Sequence, residues 1–356
     1  MRMNILETLY ENKINFPLLL DRKINIETNK TFLFGPKLSG KTSIIFNYLK
    51  DKEDDYLYID LDDFRYEKED LVDLQLFIQK NKIKICIIEN YAYGFPIPKT
   101  DVVILSSIYF IDIENFSSIK VMPLDFEEYL LFDTKHQNTT NSFNSFLKYG
   151  NIPEIIELKD YKKSTRNKEL IKLYDSNANT IEILKILIKS SGEIKSPFWL
   201  FNMLKKNIKL SKDFFYKTIK EFEKNHTIIL CEKFNQPKAV KKIFCFNFAL
   251  IDLVSHKKNF TNLFSNMIFL ELFNQNQPVY YLEYIDFYTP HNNSIVISMP
   301  FYSTALISRI MSKLLRYIEE YGINKITIVT ISNFDTLYID TIEAQITPFY
   351  EWALGK

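Results

Sequence analysis

The chain has 356 residues, 46% of them hydrophobic and 25% charged, which is the make-up of a soluble globular protein with room for two or three domains. Its three cysteines, Cys86, Cys231 and Cys245, lie far apart in apolar runs, which excludes a disulfide framework and points to buried thiols in a reducing cytoplasm. The four histidines lack metal-ligand spacing, the first residues are too polar for a signal peptide, and the apolar run at 102–113 is too short and too polar to cross a bilayer.

Residues 1 to about 30 read as a helix and a lead-in strand. Thr31-Phe32-Leu33-Phe34 is a short β-prone run, and Gly35-Pro36-Lys37-Leu38-Ser39-Gly40-Lys41-Thr42-Ser43 follows it. That segment fits G-x-x-x-x-G-K-[ST], the phosphate-binding P-loop. Ser43 to Lys50 then reads as a helix with an apolar face. Strand, glycine loop and helix N-terminus in this order form an anion cradle, because unpaired backbone N–H groups and the helix dipole converge on one spot. Lys41 is expected to reach the β- and γ-phosphates of ATP, and the Thr42 hydroxyl to sit on Mg2+.

Tyr56-Leu57-Tyr58-Ile59-Asp60 is the next strand, followed by a charged loop. Residues 67 to 80 have helical periodicity through Leu71, Leu74, Phe77 and Ile78. Ile83 to Ile88 reads as a buried strand ending at Glu89-Asn90. Val102 to Leu105 ends at Ser106-Ser107, and Ile119 to Met122 is a fifth strand. Strands alternating with helices imply an α/β fold with a parallel sheet, whose ligands gather at the carboxyl ends of the strands. The P-loop, Asp60 to Asp63, Glu89 and Ser106 all fall at such ends.

Two further segments carry a resemblance. Pro123-Leu124-Asp125-Phe126-Glu127-Glu128-Tyr129-Leu130 resembles the P-L-S-F-x-E-[FY]-L segment of an AAA+-type P-loop ATPase family of bacteria and archaea. Tyr149-Gly150-Asn151-Ile152-Pro153-Glu154 resembles that family's Y-G-G-[FY]-P-E segment. The family couples its P-loop domain to a winged helix and a C-terminal domain related to restriction endonucleases. The resemblance implies an acid pair after the third strand, one acid holding Mg2+ through water and the other polarising the attacking water. Here that pair is Glu89-Asn90: Glu89 keeps the metal role, while Asn90 can orient a water and cannot take its proton. Ser106 matches the polar position at the end of the next strand. The family also carries an arginine before the P-L-S-F segment, and this chain has none between Arg65 and Arg166. Hydrolysis is therefore expected to be slow.

The Ser/Asn cluster at 175–180 marks a domain boundary. A winged helix is expected after it, with helices from Thr180 to Lys189, from about Ser196 to Asn207 and from Ser211 to Lys224, then wing strands at Ile228–Cys231 and Ile243–Phe246. Trp199, Leu200, Met203 and Leu204 are expected to face inward, as are Phe214, Phe215, Ile219 and Phe222. Lys217, Lys220 and Lys224 share the opposite face of the third helix. Residues 178–258 hold 16 lysines against seven acids, +9 in a chain whose net charge is +1. A basic module on an acidic body is a common footprint of nucleic-acid binding, here of double-stranded DNA through Lys217, Lys220 and Lys224, and winged helices often serve instead as protein contacts or spacers. From about residue 259 an apolar helix, strands near 279–282 and 295–297, a long amphipathic helix from Ser303 to Tyr321 and a strand at 325–329 match the family's nuclease-like domain in order. Asp286 stands where such a nuclease has its first acid, but Ser298-Met299-Pro300 lacks the Glu-x-Lys that would complete it.

The sequence thus predicts an AAA+-like P-loop domain over 1–175, a winged-helix domain over 176–258 and a degenerate nuclease-like α/β domain over 259–356. The expected function is a cytoplasmic ATP-binding switch with weak hydrolysis, acting on DNA or a protein partner and not on a membrane. A non-hydrolysing sensor or scaffold is the alternative, followed by a small-molecule phosphotransferase. Lys41, Glu89, Asn90 and Ser106 are the candidate catalytic residues. Gly35, Pro36, Lys37, Leu38, Ser39, Gly40, Lys41, Thr42 and Ser43 are expected to hold the nucleotide, and Thr42 and Glu89 the metal.

Overall fold

The computed structural model describes residues 5–14, 21–50, 52, 55–255 and 259–355. By packing, the chain divides once, into compact units of Met1–Met122 and Pro123–Lys356.

The first unit holds helix α1 (Ile5–Glu11), strand β1 (Lys30–Phe34), α2 (Lys41–Leu49), β2 (Tyr56–Asp60), α3 (Leu74–Asn81), β3 (Ile85–Glu89), β4 (Val102–Ser107) and β5 (Ser117–Lys120). The strands form one parallel sheet in the order β2-β3-β4-β1-β5. Side chains alternate between its faces. Phe32, Leu57, Ile59, Cys86, Ile88 and Leu105 pack on the side of α1 and α3. Leu33, Tyr56, Ile85, Ile87 and Ile104 pack on the side of α2, against Ile44, Ile45 and Leu49. Burial on both faces explains why the strands read as continuous apolar runs.

Three sequence expectations shift here. Among the described residues no strand precedes Lys30, and 15–20 of the expected lead-in lies outside them. The helix expected over 67–80 is broken: Glu67 and Asp70 form a capping box around a 3-10 turn at Lys68–Leu71, and α3 starts afresh at Leu74. Strand β5 begins at Ser117, two residues before the apolar run, because an edge strand needs only backbone pairing to β1 and its serines stay exposed.

The second unit opens with α4 (Phe126–Phe132), α5 (Thr139–Tyr149), α6 (Pro153–Glu157) and α7 (Asp160–Leu173). The two family-like segments make capping and backbone hydrogen bonds within this unit. Asp125 caps α4 by accepting the Glu128 N–H at 2.8 Å, and the Phe126 N–H donates to Glu271 at 2.7 Å. Asn151 donates to the Phe246 carbonyl at 3.2 Å. Next come α8 (Ala178–Lys189), α9 (Pro197–Lys205), α10 (Lys212–Lys224), β6 (Ile228–Lys233), β7 (Lys242–Cys245) and α11 (Leu250–Val254). Ser196 and Ser211 cap α9 and α10, each accepting an N–H at 3.2 Å. Leu200, Phe201 and Leu204 form the buried stripe of α9, which leaves Trp199 and Met203 about 40% exposed instead of inward. Phe214 is half-buried, while Phe215, Ile219 and Phe222 are buried as expected.

The remainder is α12 (Phe260–Phe273), β8 (Tyr280–Leu282), β9 (Ile285–Thr289), β10 (Ser294–Ser298), α13 (Thr304–Tyr321), β11 (Lys325–Thr330), β12 (Asp335–Ile339), β13 (Ile342–Pro348) and α14 (Phe349–Leu354). One eight-stranded sheet runs β12-β13-β11-β10-β9-β8-β6-β7. The two strands read as a wing are joined to the C-terminal strands through the pairs Glu232↔Tyr280 and Lys233↔Tyr281. The segments 176–258 and 259–356 therefore share a sheet. Among the described residues no helix is long and apolar enough to cross a membrane.

Candidate functional site

The glycine-rich loop follows β1 and ends where α2 begins. Two glycines make its path feasible. Gly35 has φ +151°, and a Cβ there would lie 2.0 Å from the Val121 carbonyl oxygen; Gly40, at φ +93°, turns the chain into α2. Leu38 also takes a positive φ. Pro36 and Ser39 are buried, Lys37 is exposed, and Ser43 is half-buried in the first turn of the helix.

Register decides what faces this loop. Tyr58, Glu89 and Ser106 share the parity of Ile87 and Ile104, so all three lie on the α2 side, at or near the carboxyl ends of adjacent strands. Glu89 is buried and collects three hydroxyls. Thr42 Oγ1 donates to its Oε1 at 2.8 Å, Ser106 Oγ donates to the same oxygen at 3.1 Å, and the Tyr58 hydroxyl donates to Oε2. The half-buried phenol of Tyr58 is pushed far above its ordinary pKa by desolvation and by the Glu89 carboxylate.

Lys41 Nζ donates to the Gly35 and Pro36 carbonyls at 2.9 and 2.8 Å. Burial lowers its pKa to about 8; Glu89 acts against that shift and Lys37 adds to it. Lys120, beside Phe34 in register at the end of β5, is likewise lowered to about 8 by burial.

Asn90 stands apart from this cluster. Its φ of +53° turns it out of β3, and its Nδ2 donates to Asp60 Oδ1 at 2.7 Å. Asp60 also accepts the Asp62 N–H at 3.0 Å. Arg65 is held by Asp63, with Nε 2.9 Å from both carboxylate oxygens.

Two contributors escaped the sequence reading. Tyr58 lay in a run read as apolar, and only strand parity relative to Glu89 reveals it. Arg22 lies in an unpatterned segment, and its one signal is scarcity in a chain with six arginines. Its buried guanidinium donates to the Ser39 carbonyl at 2.7 Å and the Met122 carbonyl at 3.0 Å, tying the loop to the strand end beside it. Arg22→Met is expected to cost about 3 kcal/mol, two charge-assisted hydrogen bonds, and to loosen the loop. Arg22→Lys recovers little of that, since one ammonium does not reproduce the fork. Thermal denaturation and amide exchange at Ser39–Lys41 measure both effects.

The other predicted residues lie in the second unit. Lys217, Lys220 and Lys224 are exposed on α10, and Lys217 is 3.9 Å from Glu221. Asp286 accepts Lys242 Nζ at 2.8 Å on one oxygen and the Ser298 N–H at 3.0 Å on the other. Among the described residues no three His, Cys, Asp or Glu side chains converge as a metal site.

No protein-family model matches the chain, and no curated protein matches it. Among solved structures, it is similar to a Walker-type ATPase of Pyrococcus abyssi, with a TM-score of 0.41 and 11% identity over 64% of this chain and 91% of that chain.

Proposed function

We propose that this protein binds ATP with Mg2+ at Gly35–Ser43 and works as a slow, nucleotide-dependent switch in the cytoplasm. The observation that carries this reading is the convergence of Lys41, Thr42, Glu89 and Ser106 on one side of the sheet, at the mouth of the glycine loop. The backbone N–H groups at the start of α2 take phosphate oxygens, and Lys41 leaves its two loop carbonyls for them. Thr42 Oγ1 and Glu89 Oε1, 2.8 Å apart, are hard oxygen groups of the kind Mg2+ favours, and they would hold the ion, Glu89 through water. When bound, Mg2+ neutralises charge on the phosphates. Ser106 and Tyr58 hold the Glu89 carboxylate in place.

The pKa of Lys41 gives a direct test. Lys41 is depressed to about 8, so above that pH it is neutral in the free protein while an unfolded chain still holds the proton up to about 10.5. Stability from this group therefore rises as pH climbs from 8 toward 10.5. Phosphate favours the charged form. ATP binding at pH 9 is expected to take up a proton, seen as a heat that changes with the ionisation enthalpy of the buffer, and affinity falls as pH rises above 8. Uptake disappears in Lys41→Arg, whose guanidinium stays charged. Buffer-independent heat in the wild type would place the phosphates away from Lys41.

Asn90 favours the non-hydrolysing reading. Its amide is engaged with Asp60, and no carboxylate stands at that position to take a proton from water. Tight ATP binding without turnover selects a sensor or scaffold.

For residues 176–258 we read a winged-helix-like module, α8–α9–α10 followed by β6 and β7, that contacts duplex DNA through Lys217, Lys220 and Lys224. Without arginine, phosphate contacts dominate. Replacing the three lysines by glutamine is expected to weaken DNA binding uniformly across sequences and to flatten the salt dependence by about three phosphate contacts. An unchanged slope assigns this face to a protein partner.

A further inference from the structure

A cleft of about 420 Å3 lies in the second unit, lined by the α8–α9 turn (Glu193, Ile194, Lys195), Lys242 of β7 and the β8–β9 hairpin (Tyr281, Tyr284, Asp286). We propose that it binds a small organic anion with a planar ring beside a carboxylate or phosphate. Three observations lead there.

Lys242 is the first. Its side chain is only 10% exposed, and among the described residues it gives one hydrogen bond, to Asp286. An ammonium has three donors. The rings of Phe244 and Phe287, 5.6 and 5.2 Å away, hold the cation and accept no conventional hydrogen bond. Beside its ion pair with Asp286, this ammonium on the cleft wall keeps donors that an anionic group can take. Lys195 supplies a second ammonium, bound loosely to Glu193 at 3.8 Å and stacked on Trp199 at 4.3 Å.

Asp286 is the second. Both of its oxygens are engaged, by Lys242 and by the Ser298 N–H, so the acid that a nuclease would turn on a metal here orients a lysine.

Tyr284 is the third. It sits in the two-residue turn between β8 and β9 with φ +68° and is 69% exposed. A bulky residue is disfavoured in that conformation, where glycine or asparagine fits without strain. The turn thus keeps a solvated ring at the mouth of a cleft whose lining pairs two lysines with two carboxylates, with Lys313 Nζ, ion-paired to Glu283 at 3.0 Å, 5.6 Å from the ring centre. Such strain persists at ligand clamps. Tyr281, fixed through its hydroxyl to the Val240 carbonyl, offers a second aromatic wall. The volume suits one ring and its anionic group.

The test is a ligand-observed NMR titration of the full chain carrying Lys41→Ala, so that the glycine loop does not take the phosphate. The probes are benzoate, phenyl phosphate and phenol. Saturable binding is expected for at least one anion, roughly tenfold tighter than for phenol, as one charge-assisted hydrogen bond provides. A preference for benzoate assigns a carboxylate ligand, and a preference for phenyl phosphate a phosphate. The double substitution Lys242→Gln with Asp286→Asn keeps an amide pair without charge and is expected to weaken the anion about tenfold. Tyr284→Gly is expected to weaken it about fivefold without lowering the melting temperature, which separates ligand contact from folding. Equal binding of phenol, no saturation by about 10 mM, or indifference to both variants would overturn the proposal.

Discussion

Gly35→Ala is expected to destabilise the first unit by about 4 kcal/mol or more, at the top of the range for single substitutions. The new Cβ would lie 2.0 Å from the Val121 carbonyl oxygen and 3.0 Å from its carbon, both backbone atoms, at φ +151°. Nothing there is the far end of a flexible side chain. Val121 cannot retreat cheaply, because its N–H donates to the Phe34 carbonyl at 2.7 Å and its side chain is buried against α2. Gly94→Ala is the control. It shares a positive φ of 90° but has no atom of the described residues within 4 Å of its new Cβ, so about 1 kcal/mol of backbone strain is expected. Denaturant unfolding of both variants separates overlap from strain. Equal losses would mean that the loop does not pass where Val121 confines it.

Lys41→Ala is expected to weaken ATP binding by about 3 kcal/mol, roughly a hundredfold, while leaving the fold near its wild-type stability. Among the described residues Lys41 hydrogen-bonds only backbone carbonyls of its own loop, and burial works against its charge. Little folding energy rests on a cation that burial disfavours, whereas its value to a polyanion is high. Thr42→Ala tests the neighbouring role. It removes one of the three hydroxyls on Glu89 and the oxygen expected on Mg2+, so binding should lose its dependence on the metal while metal-free affinity stays.

Legibility in the sequence followed the range of the interactions. The glycine loop was legible because its chemistry is contiguous: two glycines, a lysine and a threonine at fixed spacing between a strand and a helix. Glu89 and Ser106 were legible as polar ends of apolar strands. Tyr58 was hidden because its role depends on the register of β2 against β3, and Arg22 because two carbonyls far apart in sequence accept from it. The same limit operates in the second unit. Ser196 and Ser211 announced α9 and α10 by local capping, but the inward set of α9 depended on which neighbours cover it, so Trp199 and Met203 were misplaced. Strand β9, short and interrupted by Asp286, and the half-exposed β12–β13 hairpin carry weak apolar signals. The junction of β6 with β8 rests on two residue pairs and leaves no local trace.

The most direct measurement is a calorimetric titration of ATP with Mg2+ into the full chain, wild type beside Lys41→Ala. One site per chain in the wild type, weakened about a hundredfold in the variant with its melting temperature unchanged, is the result expected of a phosphate cradle at Gly35–Ser43. No binding in the wild type, or equal binding in both proteins, would contradict it and leave the loop as a structural turn.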